Sequence, residues 1–424
     1  MTVASAIRRW ALRHDGPVRK LGRLASGIFP GRFGRLPRPL AGEAQALGEV
    51  LRGTQWNMAY GKGLAHERLE ADFAAYVGAP FAIAVNTGGM ALQMSMRALG
   101  LAPGDEVLMQ VDTCSAAALA VMNAACTPLF SDISRGSFML PPDAVARLAG
   151  PNSKAVIATH MWGNAEDMTG LDQATKARGL GLIEDACLSL GARAGGRMAG
   201  TWGATGVFSF GCLKPIQAGE GGIIVTADEA LARELRSLRH WGDRTIEYGV
   251  RDTTQLAWNG RMSEFVAAVA REQLKGYPAY LAGLRGRVAD FARFLDGIPG
   301  LELVLGHAAS LEDCAFSQVV LRLDCAKAGL TKDVLRQKLS AEGIHSWHAN
   351  FEPITDLSLF RQDSWRKWIL AGDVERAAGN YRQAFSVCRQ VYESEGLGLS
   401  RMHFQSGWRL KQLQNAIALC MTRS

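Results

Sequence analysis

No apolar run in this chain approaches the roughly 20 residues needed to cross a bilayer. Gly, Arg or Asp interrupts each hydrophobic stretch after a few positions, so the chain reads as soluble. Cysteine is sparse and scattered: the eight residues are Cys114, Cys126, Cys187, Cys212, Cys314, Cys325, Cys388 and Cys420. No CxxC pair and no Cys/His cluster at zinc spacing occurs among them, which excludes a disulfide framework or zinc-finger reading. No metal is expected, and reduced thiols fit a cytoplasmic setting. Repeats and low-complexity tracts are missing as well. Basic charge is also absent from most of the chain. Residues 1–40 hold nine Lys/Arg against one acid, Asp15, which leaves the remainder at −1 within a whole-chain charge of +7. A body without excess charge is a poor match for a nucleic-acid-binding fold, and no nucleic-acid partner is expected. The basic arm suits an anionic membrane surface or partner. Its Arg-rich, acid-poor composition also resembles a transit peptide, although Gly27–Pro39 is broken by Gly and Pro and no clear cleavage site follows. The plainest reading is a solvated extension.

What the chain does have is 424 residues of ordinary globular composition, enough for two packed domains. Leu40–Val77 reads as two helices around a Gly-punctuated stretch at Gly53, Gly61 and Gly63, the second carrying Leu64, Leu69, Phe73 and Val77 at helical spacing. Short apolar runs then alternate with helical segments: Phe81–Val85, Glu106–Gln110, Pro128–Ser131, Ala155–Thr159 and Gly181–Glu184. This rhythm predicts an α/β fold with a mostly parallel sheet, helices on both faces and ligands at the carboxyl ends of the strands. Gly206–Phe210 and Gly222–Thr226 are short enough to pair antiparallel. A helix is expected over Ser263–Leu274; past Gly276 the rhythm changes to a further helix, a strand at Gln318–Leu323 and another helix over Thr331–Glu342. The division is therefore a basic extension (1–40), a large domain (41–275) and a smaller α/β domain (276–424).

Three windows carry candidate chemistry. In Phe208-Ser-Phe-Gly-Cys-Leu-Lys-Pro-Ile-Gln-Ala-Gly-Glu-Gly-Gly222, a hydroxyl lies five residues before Lys214, on a strand-to-turn junction. An apolar setting favours the neutral, nucleophilic amine that Schiff-base chemistry requires, and the following Gly-rich turn lets the backbone fold closely around a bound group. In Leu182-Ile-Glu-Asp-Ala186 an apolar strand ends in two acids; a carboxylate there can hold a ring nitrogen protonated, as pyridoxal 5′-phosphate enzymes do. In Val85-Asn-Thr-Gly-Gly-Met-Ala-Leu92 a strand runs through Gly88 and Gly89 into a helix whose free amides suit a phosphate. Each window alone has a structural reading: a lysine in an apolar turn, acids capping a helix, or a Gly-Gly helix start.

In this order the windows resemble the DegT/DnrJ/StrS family of sugar aminotransferases, which have the aspartate-aminotransferase-like (type I) pyridoxal-phosphate fold. The resemblance extends to Gly100–Val107, Thr127–Ile133, His160–Gly163 with Asp167-Met168, Gly191-Ala192, Gly219–Gly222 and Asn259–Glu264. It implies a seven-stranded-type sheet and pyridoxal 5′-phosphate carried on Lys214, which also shuttles the proton. It further implies Asp185 at the ring nitrogen, Gly88, Gly89 and Ser209 at the phosphate, and Asn259 reaching the phosphate from a neighbouring subunit. The chain would then be a homodimer with shared active sites. Arg261 would either meet the carboxylate of an amino-acid donor or shape the dimer, and His160 stands as a second candidate substrate contact. The implied reaction moves nitrogen from glutamate or glutamine to a keto-sugar, nucleotide-linked, or to a keto-cyclitol, within sugar, polysaccharide or natural-product biosynthesis.

The chain departs from the family pattern around the cofactor ring. Leu188 stands where a Gln usually supports the phenolic oxygen, Leu190 where a His follows, Cys114 where an aromatic stacks on the ring, and Gly89 where a Thr is common. A family His aligns near Asn350. These changes imply a pocket less polar than usual. They leave open a diverged enzyme of the same fold doing elimination or decarboxylation, and a non-catalytic, membrane-associated descendant. Lys214 argues against the dehydratase branch, which has His at that place.

Overall fold

The computed structural model describes residues 41–53, 56, 64–243, 252–349, 351–369 and 372–422. The basic arm, Gly61, Gly63 and Asn350 lie outside the described residues. Two helices open the described chain, α1 (Ala41–Arg52) and α2 (Leu64–Val77). The strand–helix alternation follows as β1 (Phe81–Val85), α3 (Gly88–Ala98), β2 (Glu106–Gln110), α4 (Ser115–Asn123), β3 (Thr127–Ser131), α5 (Asp143–Leu148), β4 (Ser153–Thr159), α6 (Met168–Arg178) and β5 (Gly181–Asp185). A two-residue hairpin, β6 (Arg193–Ala194) and β7 (Arg197–Met198), precedes β8 (Thr205–Ser209), β9 (Gly222–Thr226) and α7 (Glu229–Arg239).

The main sheet has seven strands in the order β1-β9-β8-β5-β4-β2-β3. Strand β9 runs antiparallel to both neighbours, and the others are parallel to one another. Strands β2 and β3 are buried along their whole length, as helices on both faces require. The pleat sorts side chains between two cores. Ile83, Val85, Val207 and Ile224 join the helices α3, α4 and α7 on one side, whereas Ala82, Ala84, Phe208, Ile223 and Val225 face α2 on the other. There Phe73 of α2 meets Phe208 and Phe210 edge-on, with ring centroids 5.0 and 5.8 Å apart. Such pairs add about 0.5–1.5 kcal/mol each beyond area burial and fix the end of β8 against the helix.

The expected break past Gly276 does not occur. A single helix, α8, runs Glu264–Leu295 with Pro278 inside it, capped by Ser263, whose side chain accepts from the Phe265 amide. Pro278 gives up one hydrogen bond, but the apolar stripe continues beyond it: Leu274, Tyr277 and Leu281 belong to the core of the main sheet. Leu284, Val288, Phe291 and Leu295 belong to a second core. That second core lies on a four-stranded antiparallel sheet, β10 (Leu301–Leu303), β11 (Gln318–Leu323), β12 (Ser346–His348) and β13 (Gly396–Ser400), in the order β10-β11-β13-β12. Helices α9 (Lys332–Ala341) and α11 (Gly407–Thr422) pack on this sheet, whereas α10 (Val374–Tyr381) returns to the main sheet, where Asn380 bonds the backbone of Phe130 in β3. The boundary expected at 275/276 falls within α8. Among the described residues no helix is long and apolar enough to cross a membrane.

Candidate active site

The parallel strands deliver their carboxyl ends to one edge of the sheet, where the three candidate windows meet. After β1 the chain turns at Asn86 and Thr87 into α3. The Thr87 hydroxyl accepts the Met90 amide at 3.0 Å and its carbonyl accepts that of Ala91, so the cap serves the second half of the turn. The amides of Gly88 and Gly89 head the helix, the arrangement that holds a phosphate. A Cβ on Gly88 would lie 3.0 Å from Ser209 Cβ, 3.1 Å from Cys187 Sγ and 3.4 Å from Ser209 Oγ. Any side chain here would fill the space between the helix start and the ends of β8 and β5. Gly222 opens β9 against the same turn, where a Cβ would lie 2.7 Å from the Thr87 carbonyl. Ser209 Oγ accepts the Gly211 amide at 3.3 Å and is oriented by it.

The two acids of β5 part company because successive side chains point to opposite faces. Glu184 is fully buried. Its carboxylate accepts the amides of Gly200 (2.7 Å), Trp202 (2.6 Å) and Gly203 (2.7 Å), and His160 Nε2 donates to it at 2.9 Å. Asp185, 6% exposed, takes the Cys187 amide at 3.2 Å and the thiol of the same residue. The thiol of Cys187 reports what surrounds it: burial pushes its pKa well up, the charge of Asp185 adds to this, Lys214 opposes it and Cys114 adds a little. The charges of Lys214 and Asp185 are thus both felt at the sulfur that lies beside the Gly88–Ser209 cradle.

Lys214 itself is half-buried, in a turn tied by Phe210 N to Gly221 O, Ala218 N to Phe210 O (both 2.9 Å) and Lys214 N to Gly211 O (3.2 Å). Its carbonyl accepts from Arg401 Nη2 at 2.7 Å and from Gln217 Nε2 at 3.2 Å. Arg401 follows β13, 187 residues further along the chain, and no sequence spacing pointed to it.

The other expected residues are placed as follows. Cys114 is exposed and caps α4 without a side-chain hydrogen bond. Leu188 is half-buried and packs on the core of α3 and α4. Leu190 is 3% exposed in the core beneath α8, and its carbonyl accepts the Tyr277 hydroxyl at 2.6 Å. It is part of the core, so the apolar pocket read from both leucines reduces to Leu188. His160 is fully buried with both ring nitrogens engaged, Nδ1 accepting the Glu166 amide at 3.0 Å and Nε2 bonded to Glu184. This is a correction to its candidacy as a substrate contact: the ring braces the strand ends and has no free nitrogen to offer. Asn259 is exposed beside the phosphate turn, its carbonyl accepting Asn86 Nδ2 at 3.4 Å. Arg261 donates to His240 Nδ1 at 2.8 Å and stacks 4.0 Å over Trp241; burial and the nearby Arg239 lower its pKa. No metal-binding cluster of His, Cys, Asp or Glu occurs among the described residues.

Residues 40–386 match the model of the DegT/DnrJ/EryC1/StrS aminotransferase family. The chain belongs to this family. It is 33% identical over 241 residues to the dTDP-3-amino-3,4,6-trideoxy-alpha-D-glucose transaminase of Micromonospora megalomicea, a stretch covering 57% of this chain and 63% of that enzyme. It is 33% identical over 280 residues to the UDP-N-acetyl-3-dehydro-alpha-D-glucosamine 3-aminotransferase of Acidithiobacillus ferrooxidans, covering 66% and 72%. With the L-glutamine:2-deoxy-scyllo-inosose aminotransferase of Streptomyces kanamyceticus it shares 34% over 249 residues, 56% and 58% of the two chains. Two similar solved structures are 3-amino-5-hydroxybenzoic acid synthase (TM-score 0.80, 26% identity, 93% of this chain and 99% of that one) and S. venezuelae DesV (TM-score 0.75, 28% identity, 91% and 95%).

Enzymes of this family use pyridoxal 5′-phosphate. The residues present fit it: the side-chain-free space at Gly88 beside the α3 amides and Ser209 takes a phosphate, Asp185 offers a carboxylate beside it, and the charge of Lys214 is felt at the adjoining Cys187 thiol. When bound, the cofactor supplies an electron sink for the carbon bearing the amino group.

Proposed function

We propose that this protein is an aminotransferase that takes nitrogen from glutamate or glutamine and delivers it to a keto-sugar, nucleotide-linked, or to a keto-cyclitol. The meeting of the Lys214 turn, the Asp185 strand end and the Gly88–Ser209 cradle at one edge of the sheet carries this reading, because it supports an amine, an anion and a phosphate seat close to one another. Lys214 Nζ would hold the cofactor and would serve as the base and acid that moves the proton at the donor and acceptor carbons. Asp185 keeps the ring nitrogen protonated. Gly88, Gly89 and Ser209 hold the phosphate. Arg261 has no carboxylate partner among the described residues and is suited to the donor's carboxylate.

Asn259 is exposed, and in this reading it crosses to the phosphate of a second copy, making a homodimer with shared sites. The eight cysteines, none of them in a disulfide, support a cytoplasmic setting, and the basic arm is suited to an anionic membrane surface. The relatives that act on nucleotide-linked sugars and on an inosose support the acceptor class. The test incubates the protein with glutamine and a panel of nucleotide-linked keto-sugars and scyllo-inososes, and measures keto-acid release against aminated product. Equal amounts of both support transamination. Loss of acceptor hydroxyl without donor consumption would instead establish the elimination alternative.

A further inference from the structure

The turn that presents Lys214 contains a strained residue. Leu213 has φ +120°, a region that side-chain-bearing residues avoid at a cost, and it is 68% exposed, so no burial of its own side chain offsets that cost. Such a conformation persists only where its surroundings over-determine it. Here the amide of Lys214 bonds back to Gly211, and the Lys214 carbonyl receives two donors, Gln217 Nε2 from within the turn and Arg401 Nη2 from outside it.

Arg401 is an unusual choice for a backbone clamp. It is 6% exposed, no carboxylate lies within ion-pair distance of it among the described residues, and it is delivered by the end of β13, in the other sheet. Enclosing a guanidinium in this way is costly unless its donors are used. The donor the structure shows in use points at the carbonyl of the lysine.

We propose that Arg401 is a positioning residue for the cofactor lysine, holding the Lys214–Pro215 peptide, next to the strained Leu213, so that the Lys214 amine faces Asp185 and the phosphate cradle. The seating of the four-stranded sheet is thereby linked to the geometry of the reacting amine. Gln217 assists from within the turn. This inference rests on the reading of Lys214 as the cofactor carrier.

The test follows capture of pyridoxal 5′-phosphate by the full-length, cofactor-free chain, read as growth of visible absorbance and as borohydride-fixed label on the Lys214 peptide. Arg401→Met should slow capture about ten- to a hundredfold, the range expected for losing one hydrogen bond from a charged donor. Arg401→Lys, which keeps a cation and a donor, should recover most of the rate and serves if the Met variant unfolds. Leu213→Gly, which removes the strain, should restore capture in the Arg401→Met background while changing little alone. A merely structural role predicts the opposite: slowing that tracks a lower melting point and is not relieved by Leu213→Gly. Capture at the parental rate in Arg401→Met, or no rescue by Leu213→Gly, overturns the proposal. Label on a different lysine in the unaltered protein would instead overturn the carrier reading on which it rests.

Discussion

Replacing Glu184 by Gln and Asp185 by Asn should give two different defects from adjacent carboxylates. In the Glu184 site, Oε1 accepts the amides of Trp202 and Gly203, and Oε2 accepts that of Gly200 together with His160 Nε2, all within 2.9 Å and with the side chain fully buried. Glutamine has one acceptor oxygen. Whichever way its amide is turned, two charge-assisted bonds vanish and an NH2 group faces two other donors. At about 1.5–3 kcal/mol per bond, the loss is about 3–6 kcal/mol, a large share of the roughly 5–15 kcal/mol that keeps a protein folded. Asp185 takes one backbone amide, at 3.2 Å, and the Cys187 thiol, both of which the oxygen of Asn can still accept in part, so Asn there should cost about 1 kcal/mol. Denaturant unfolding of the cofactor-free chains measures the first effect and turnover with bound cofactor the second. Glu184→Gln should unfold at clearly lower denaturant, whereas Asp185→Asn should keep the parental midpoint and lose most activity, because a neutral partner does not hold the ring proton. Equal destabilisation by both changes, or parental stability in Glu184→Gln, would refute the division of roles along β5.

Gly88→Ala should weaken pyridoxal-phosphate binding by at least about tenfold while leaving the apo fold intact, since the new methyl enters the cradle 3.0–3.1 Å from Ser209 and Cys187; equilibrium titration of cofactor absorbance checks this. Lys332, buried beside Tyr392 and His348, has its pKa depressed to about 8 by burial and by Arg336. The unfolded chain therefore binds the extra proton between about pH 8 and 10.5, and stability should rise with pH across that window by about 3 kcal/mol. Urea unfolding of Lys332→Met against the parent at pH 7.5 and 10 should show this slope only in the parent. Mixing inactive Lys214→Ala with inactive Asn259→Ala under conditions of subunit exchange should restore activity, because one site of each mixed dimer regains both residues. No recovery despite proven exchange would count against shared sites.

Much of this was legible beforehand because local patterns agreed with the tertiary structure. The runs at Phe81–Val85, Glu106–Gln110, Gly222–Thr226 and Gln318–Leu323 are strands with those same ends, and the expected antiparallel pairing of the two late runs is that of β8 with β9. Insertion of β9 between β1 and β8 was not legible, since strand order depends on contacts between distant segments. That the helical segments before and after Gly276 form one helix through Pro278 was not legible for a different reason: proline lowers local propensity, but the buried stripe from Tyr277 to Leu295 overrides it. Sequence brought the Lys214, Asp185 and Gly88 windows to the same sheet edge. It could not tell that His160 and Leu190 turn inward, because burial is decided by what packs on top, nor that Arg401 arrives from the other sheet.

The central claim is that one lysine, Lys214, carries the cofactor. Loading the purified protein with pyridoxal 5′-phosphate, reducing with borohydride and mapping the peptides tests it directly. The account predicts a single phosphopyridoxyl group on the peptide containing Lys214, and its disappearance in Lys214→Arg with the fold retained. Label on Lys154, Lys332 or any other lysine, or equal label in the Arg variant, would contradict it.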